Sequence, residues 1–214
     1  MTEQARPVRT RRGRPTQAES AALRHQVREA AVATFLEKGY DATTMEAIAE
    51  AAGITKRTLY ARYPDKRSVF LDAIPWAFTR AVENDTIPEI DGGDLRSALM
   101  AIGRGALRRA LDPDMVRLHR IARGEAHRFP EFASSAQSFE WASRQRQVMD
   151  LLARHVDAGT AVVDDVELVA EHFLAMVEGF PARLADFGIY RSRKDERRHL
   201  TYAVDLFLRG VLPR

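Results

Sequence analysis

The chain contains no cysteine, which removes disulfides, zinc fingers with Cys ligands, iron–sulfur clusters and thiol catalysis at once. Long apolar runs are also missing. No stretch free of Asp, Glu, Lys and Arg exceeds eight residues, far short of the roughly 18 that a membrane span needs. The arginine-rich start has no apolar h-region and does not read as a secretory signal. The expected compartment is the cytoplasm, with no membrane partner. β-branched alternation is scarce, and Asp91-Gly92 joins helical patterns rather than strands. No P-loop, GxSxG or HExxH occurs. At 45% hydrophobic the chain is too apolar for extended disorder, and 214 residues suit one compact unit or two small ones sharing a core.

The rival class for an all-helical chain is a metal-dependent enzyme, whose ligands would be Glu and His on facing helices. Glu125 and His127 stand two apart and would point to different faces of a helix. We therefore expect no enzyme, no metal and no cofactor.

What is present is an uneven charge. Residues 1–67 hold 13 Lys+Arg against 8 Asp+Glu, whereas residues 68–214 hold 20 against 22. Arg6, Arg9, Arg11, Arg12 and Arg14 face only Glu3 in the first 14 positions. A basic head on a near-neutral body suits a polyanion-binding module joined to something that does other work.

The patterning predicts an all-α chain. Leu23, Val27, Ala30, Ala31, Thr34 and Phe35 share one helical face, and Gly39 stops that helix. Met45, Ile48, Ala49 and Ala52 recur at helical spacing behind a capping box of Thr43 and Glu46. Gly53 ends this helix, Thr55 caps the next, and Pro64 closes it near Tyr63. Asp65 caps a fourth helix, which Pro75 should kink. Residues 84–93 read as a linker. Longer helices follow, opened by Asp94, Asp112-Pro113, Pro130 and Asp164, with a bend near Gly179 and Pro181 and a last helix from about Lys194.

The stretch from Thr43 to Phe70 carries the function. Two short helices joined at Ala52-Gly53-Ile54 meet through small residues, which permit a steep, close crossing; Gly53 lets the chain turn at positive φ. This is the helix-turn-helix pattern, whose second helix enters the major groove. That helix offers Thr55, Lys56, Arg57, Thr58, Tyr60, Arg62 and Tyr63, and there is no acid from Ile54 to Pro64. Arg12-Gly13-Arg14-Pro15 is a short basic sequence suited to an A·T-rich minor groove.

With Phe35, Lys38-Gly39-Tyr40, Thr43-Thr44, Ile48-Ala49, Ala52-Gly53, Leu59-Tyr60 and Lys66 in place, this stretch resembles the N-terminal DNA-binding domain of the TetR family of bacterial transcriptional regulators. Glu125 to Glu131 and Val204 to Gly210 resemble the AefR-like branch. The resemblance implies a basic arm (1–17), a helix-turn-helix domain (18–67) and a helical effector-binding and dimerisation domain (68–214). It implies a phosphate contact from Thr43 or Thr44, base contacts from Lys56, Arg57 and Thr58, and phosphate contacts from Tyr60 and Lys66. Tyr63 falls where the family usually has Phe, and is assigned to the core with its hydroxyl at the surface.

The resemblance also implies a homodimer that reads a palindromic double-stranded operator, as a single motif reads too few base pairs. Phe180, Tyr202, Phe207 and Val211 are its expected interface, and a charge at Phe207 should yield monomers. A small, mostly apolar effector is expected to release the DNA. It must prefer the non-binding arrangement to do so. Trp76, Met100, His119, Trp141, Met149, Phe173 and Met176 are its expected lining. The alternative is an architectural DNA binder without effector.

Overall fold

The computed structural model describes residues 16–83 and 94–213, with side chains at 16–80, 94–130 and 144–213. The expected linker 84–93 lies outside the described residues, as do Arg12, Arg14 and the side chain of Trp141. The described residues form helices and no strand: α1 (Gln17–Ala42), α2 (Met45–Ala51), α3 (Lys56–Tyr60), α4 (Lys66–Glu83), α5 (Leu95–Ala110), α6 (Pro113–Glu125), α7 (Pro130–Asp157), α8 (Val166–Leu174), a π turn (Ala175–Gly179), α9 (Phe180–Asp186) and α10 (Arg193–Val211).

Local chemistry sets most of these bounds. Asp94, Asp112, Asp165 and Ser192 accept first-turn amides with their side chains. Thr16 and Glu19 form a reciprocal capping box that starts α1. At Gly39, φ is 74° and the helical path breaks, leaving one turn to Ala42. Three details differ from the sequence reading. The cap of α2 is Thr44, not Thr43, because the Thr44 hydroxyl accepts from Ala47 N. Asp165, not Asp164, caps α8. The bend expected near Gly179 is a π-helical turn, a wider winding that often sits where a helix serves a site.

Two apolar clusters divide the interior. The first joins α1 to α4 through Val27, Phe35, Ile48, Leu59, Phe70, Ala73 and Phe78, and takes in Leu118 and Ala122 of α6 and Phe129. The second lies among α5, α7, α8 and α10 around Leu99, Leu152, Phe173, Leu174 and Val204. The seam of the first cluster is aromatic. Phe70 meets Phe35 at 5.2 Å and Tyr40 at 4.9 Å edge-on, and Phe129 at 5.4 Å at a tilt. Arg128 beside it pairs with Asp41 at 2.8 Å and Glu125 at 3.0 Å and lies over the Tyr40 ring. The stretch from Glu125 to Phe129 therefore fastens the body to the end of α1.

Candidate DNA-binding surface

The turn between α2 and α3 is set by backbone bonds. Gly53 N donates to Glu50 O and Ile54 N to Ala49 O, with Gly53 at φ 61°. Leu59 is fully buried and anchors α3 from beneath. The opposite face of α3 is left to solvent: Thr55, Lys56, Arg57 and Tyr60 are exposed, Tyr60 at 47%.

These donors are not equally available. Thr55 Oγ1 caps α3 by accepting from Thr58 N, and the two hydroxyls lie 2.9 Å apart, so each is partly spent on the other. Lys56 Nζ is 2.9 Å from Glu46 of α2, and its hydrogen bond holds that carboxyl below its ordinary range. Both partners are largely exposed, so the pair is weak and can yield to a phosphate or base. Arg57 is exposed, and among the described residues its guanidinium shows no hydrogen bond or ion pair, only its backbone carbonyl accepting from Ala61 N.

Three sequence-based assignments are corrected. Thr43 is 1% exposed and donates to Gly39 O at 2.6 Å, so its hydroxyl cannot reach DNA; the neighbouring Thr44 is exposed at the start of α2. Lys66 donates to Tyr40 O at 2.7 Å and Asp41 O at 3.0 Å, and sits 4.5 Å over the Tyr40 ring. It closes the end of α1, where free carbonyls attract a cation, which leaves one of its three N–H groups for a phosphate. Tyr63 keeps its place in the core, at 6% exposure, but its hydroxyl turns inward and donates to Asp72 Oδ2 at 2.5 Å.

Asp72 gathers three elements. It accepts from Arg28 Nε at 2.9 Å and Arg24 Nε at 3.1 Å on α1, and from Tyr63. Burial works to raise its carboxyl, but the hydrogen bonds from Arg28, Arg24 and Tyr63 outweigh burial and hold it far below the usual carboxylate range. Burial first, and the bond to Asp72 second, push the Tyr63 phenol up to about 12. A phenol raised on folding contributes stability below its unfolded value of roughly 10 and loses it as pH climbs toward the folded one. The thermal stability advantage of the native chain over Tyr63→Phe should therefore shrink from pH 10 to 12 in melts followed by circular dichroism. Parallel melting curves over that window would refute the assignment. The carboxylate contribution of Asp72 runs oppositely: it is intact above roughly pH 4 and declines as pH falls below.

In the body, the expected effector-lining residues separate. Met100, Met149 and Met176 pack against the second cluster that holds Phe173. Trp76 lies elsewhere, on the seam of α1 and α4, edge-on to His25 at 5.2 Å and under Arg28 and Arg80. His119 packs on Phe78 at 4.7 Å, beside the first cluster. These two do not share a wall with the others, because α4 and α6 turn those positions toward the head. Sequence reasoning missed the buried charges Arg109, Arg144 and Glu178; Arg144 Nη1 meets Glu178 Oε2 at 2.6 Å, with the glutamate carried by the π turn. No spacing signal marks that pair.

The expected interface also divides. Phe180 (53% exposed) and Tyr202 (69%) stand out, together with Leu168 and Leu206. Phe207 and Val211 are buried instead, and the Phe207 ring packs at a tilt against Phe173 at 4.9 Å. A charge at Phe207 would injure this subunit's own core. Glu196 and His199 have the three-residue spacing of a metal pair, yet a His199 ring nitrogen lies 2.9 Å from Val177 O. No group of three His, Cys, Asp or Glu able to hold a metal occurs among the described residues. No described helix is long and apolar enough to cross a membrane.

Comparison with known proteins places this surface in context. Residues 27–73 match the family model for bacterial regulatory proteins of the tetR family, and residues 97–210 match the AefR-like transcriptional repressor C-terminal domain. The biofilm operon icaADBC HTH-type negative transcriptional regulator IcaR of Staphylococcus aureus is 32% identical over 56 residues, 26% of this chain. The match spans only 30% of that curated relative's length. Among solved structures, a TetR-family transcriptional regulator from Mesorhizobium loti superposes with a TM-score of 0.77 at 23% identity, covering 93% of this chain and 100% of the other. The flavonoid-responsive regulator FrrA gives 0.75 at 29% identity, over 91% and 99%. A TetR regulator from Agrobacterium tumefaciens gives 0.74 at 20%, over 90% and 96%.

Proposed function

Because this chain belongs to the TetR family of bacterial transcriptional regulators, with a body of the AefR-like type, we propose that it is a repressor which binds a palindromic operator as a homodimer and lets go when a small effector enters its body. It is a DNA-binding transcriptional regulator and not an enzyme. One observation carries the proposal: α3 is pinned by Leu59 while an acid-free face with Arg57, Lys56 and Tyr60 is left open. Arg57 is the reader of guanine, through its planar fork; Thr44 and Tyr60 hold phosphates. Selection of duplexes from a random pool with the full chain should return inverted repeats. Equal retention of every sequence at near-physiological salt would end this reading.

Two further features support the finer parts. Exposed Leu168, Phe180, Tyr202 and Leu206 lie on α8, α9 and α10, large apolar groups that a second copy would cover. The second cluster, with its Met residues and the buried Arg144–Glu178 pair, suits an effector that is mostly apolar and bears a polar group. FrrA's response to flavonoids makes hydroxylated aromatic compounds the first to screen. Coupling to the head would run through Phe129 and Arg128, which touch Phe70, Tyr40 and Asp41.

Arg12 and Arg14 are assigned to the minor groove. Removing residues 1–14 should weaken binding to selected and arbitrary duplexes alike and flatten the dependence of affinity on salt. A truncated protein with the native salt slope would refute that assignment.

A further inference from the structure

A cleft of about 1020 Å³ opens in the head between the start of α1, the end of α3 and α4. Ser20 and Arg24 line it from α1, Ala61 and Arg62 from the end of α3, and Tyr63 and Asp72 from below. Ala61 retains helical dihedrals and follows Arg57 by four residues, so both share one face of the spiral. The cleft therefore prolongs the reading face past its last turn.

Its charge favours an anion. Asp72 is the one carboxylate among the described lining residues, and it is already engaged by Arg24, Arg28 and Tyr63. Arg24 spends Nε and one terminal nitrogen on Asp72, yet its side chain is 50% exposed, so further guanidinium N–H groups can serve a second partner. Arg62 is tied to Ser20 Oγ across the cleft. Both cations are thus held in place before any ligand arrives, and a cation already fixed loses little freedom on binding. The sequence offers Arg62 as a DNA-facing residue but not its pairing with Arg24, since the two are separated by 37 residues.

We propose that this cleft is a phosphate clasp: it seats a backbone phosphate of the duplex flanking the base pairs under α3, with Arg24 and Arg62 as its cations. The proposal rests on the DNA-reading assignment above. Arg24 is a positioning contact here, one that adds grip and register without reading sequence.

The test is a salt titration of full-length protein on a wild-type-selected duplex and on an arbitrary duplex. Arg24→Gln and Arg62→Gln should each lower the slope of log affinity against log salt by about 0.9 and weaken binding roughly 3- to 10-fold on both duplexes. Arg24→Lys should keep the slope, and Arg104→Gln, on the exposed face of α5, should change neither quantity. Arg62→Gln leaves the Asp72 bonds untouched, so it decides the matter even if Arg24→Gln weakens the fold. Native slopes in both glutamine variants, with the native protein binding normally, would overturn the clasp alone. A native protein that retains no duplex would overturn the regulator reading and the clasp together.

Discussion

Replacing Arg57 with alanine is expected to cost a selected duplex roughly 10- to 100-fold in affinity, while arbitrary duplexes change by about threefold or less. The physical basis is the difference between its neighbours. Thr55 and Thr58 share their hydroxyls, Lys56 shares its ammonium with Glu46, and Leu59 is buried. Arg57 brings five N–H groups in a rigid fork to the groove without first breaking a side-chain hydrogen bond or ion pair among the described residues, and a bidentate pair with guanine is worth about 1–3 kcal/mol of discrimination. Arg57→Lys keeps the charge and loses the fork, so it should restore the grip on arbitrary duplexes but not the preference. Competition mobility shifts on the selected duplex and a scrambled one measure both quantities. An alanine variant that loses affinity equally on both would make Arg57 a phosphate contact.

The second large effect concerns assembly. Tyr202→Glu combined with Leu206→Glu should convert the protein to monomers and weaken operator binding by more than about 100-fold, since half of a palindrome supplies too little contact energy. The two residues lie four apart on one exposed face of α10, so charges there should spare the subunit's own interior. Sedimentation analysis gives the assembly state, and circular dichroism should show an unchanged helix content. A variant that sediments as an intact dimer would remove α10 from the interface.

Much of the helical plan was legible in the residues because each boundary has a local chemical cause. Asp94, Asp112-Pro113, Gly39, Gly53 and Pro64 act within a few residues of themselves, so a single chain suffices to read them. The misreadings arise where two neighbours are chemically alike or where a partner is distant. Thr43 and Thr44 both can cap; the Gly39 break decides which hydroxyl faces the α2 amides. Lys66 is drawn to carbonyls 25 and 26 positions earlier. Helical period says that Leu206 and Phe207 point to different sides, but not which side is this subunit's own core. The Tyr63 hydroxyl is explained only by Asp72, nine residues on and one helix away.

Phe129 belongs in sequence to the body and in packing to the head, where it rests on Phe70 and Tyr40 alongside Leu118 and Ala122 of α6. The head is accordingly no portable cassette. An engineer grafting it onto another protein has to carry α4, α6 and the start of α7 along with it, for a cut after residue 67 would strip the recognition element of the wall it leans on.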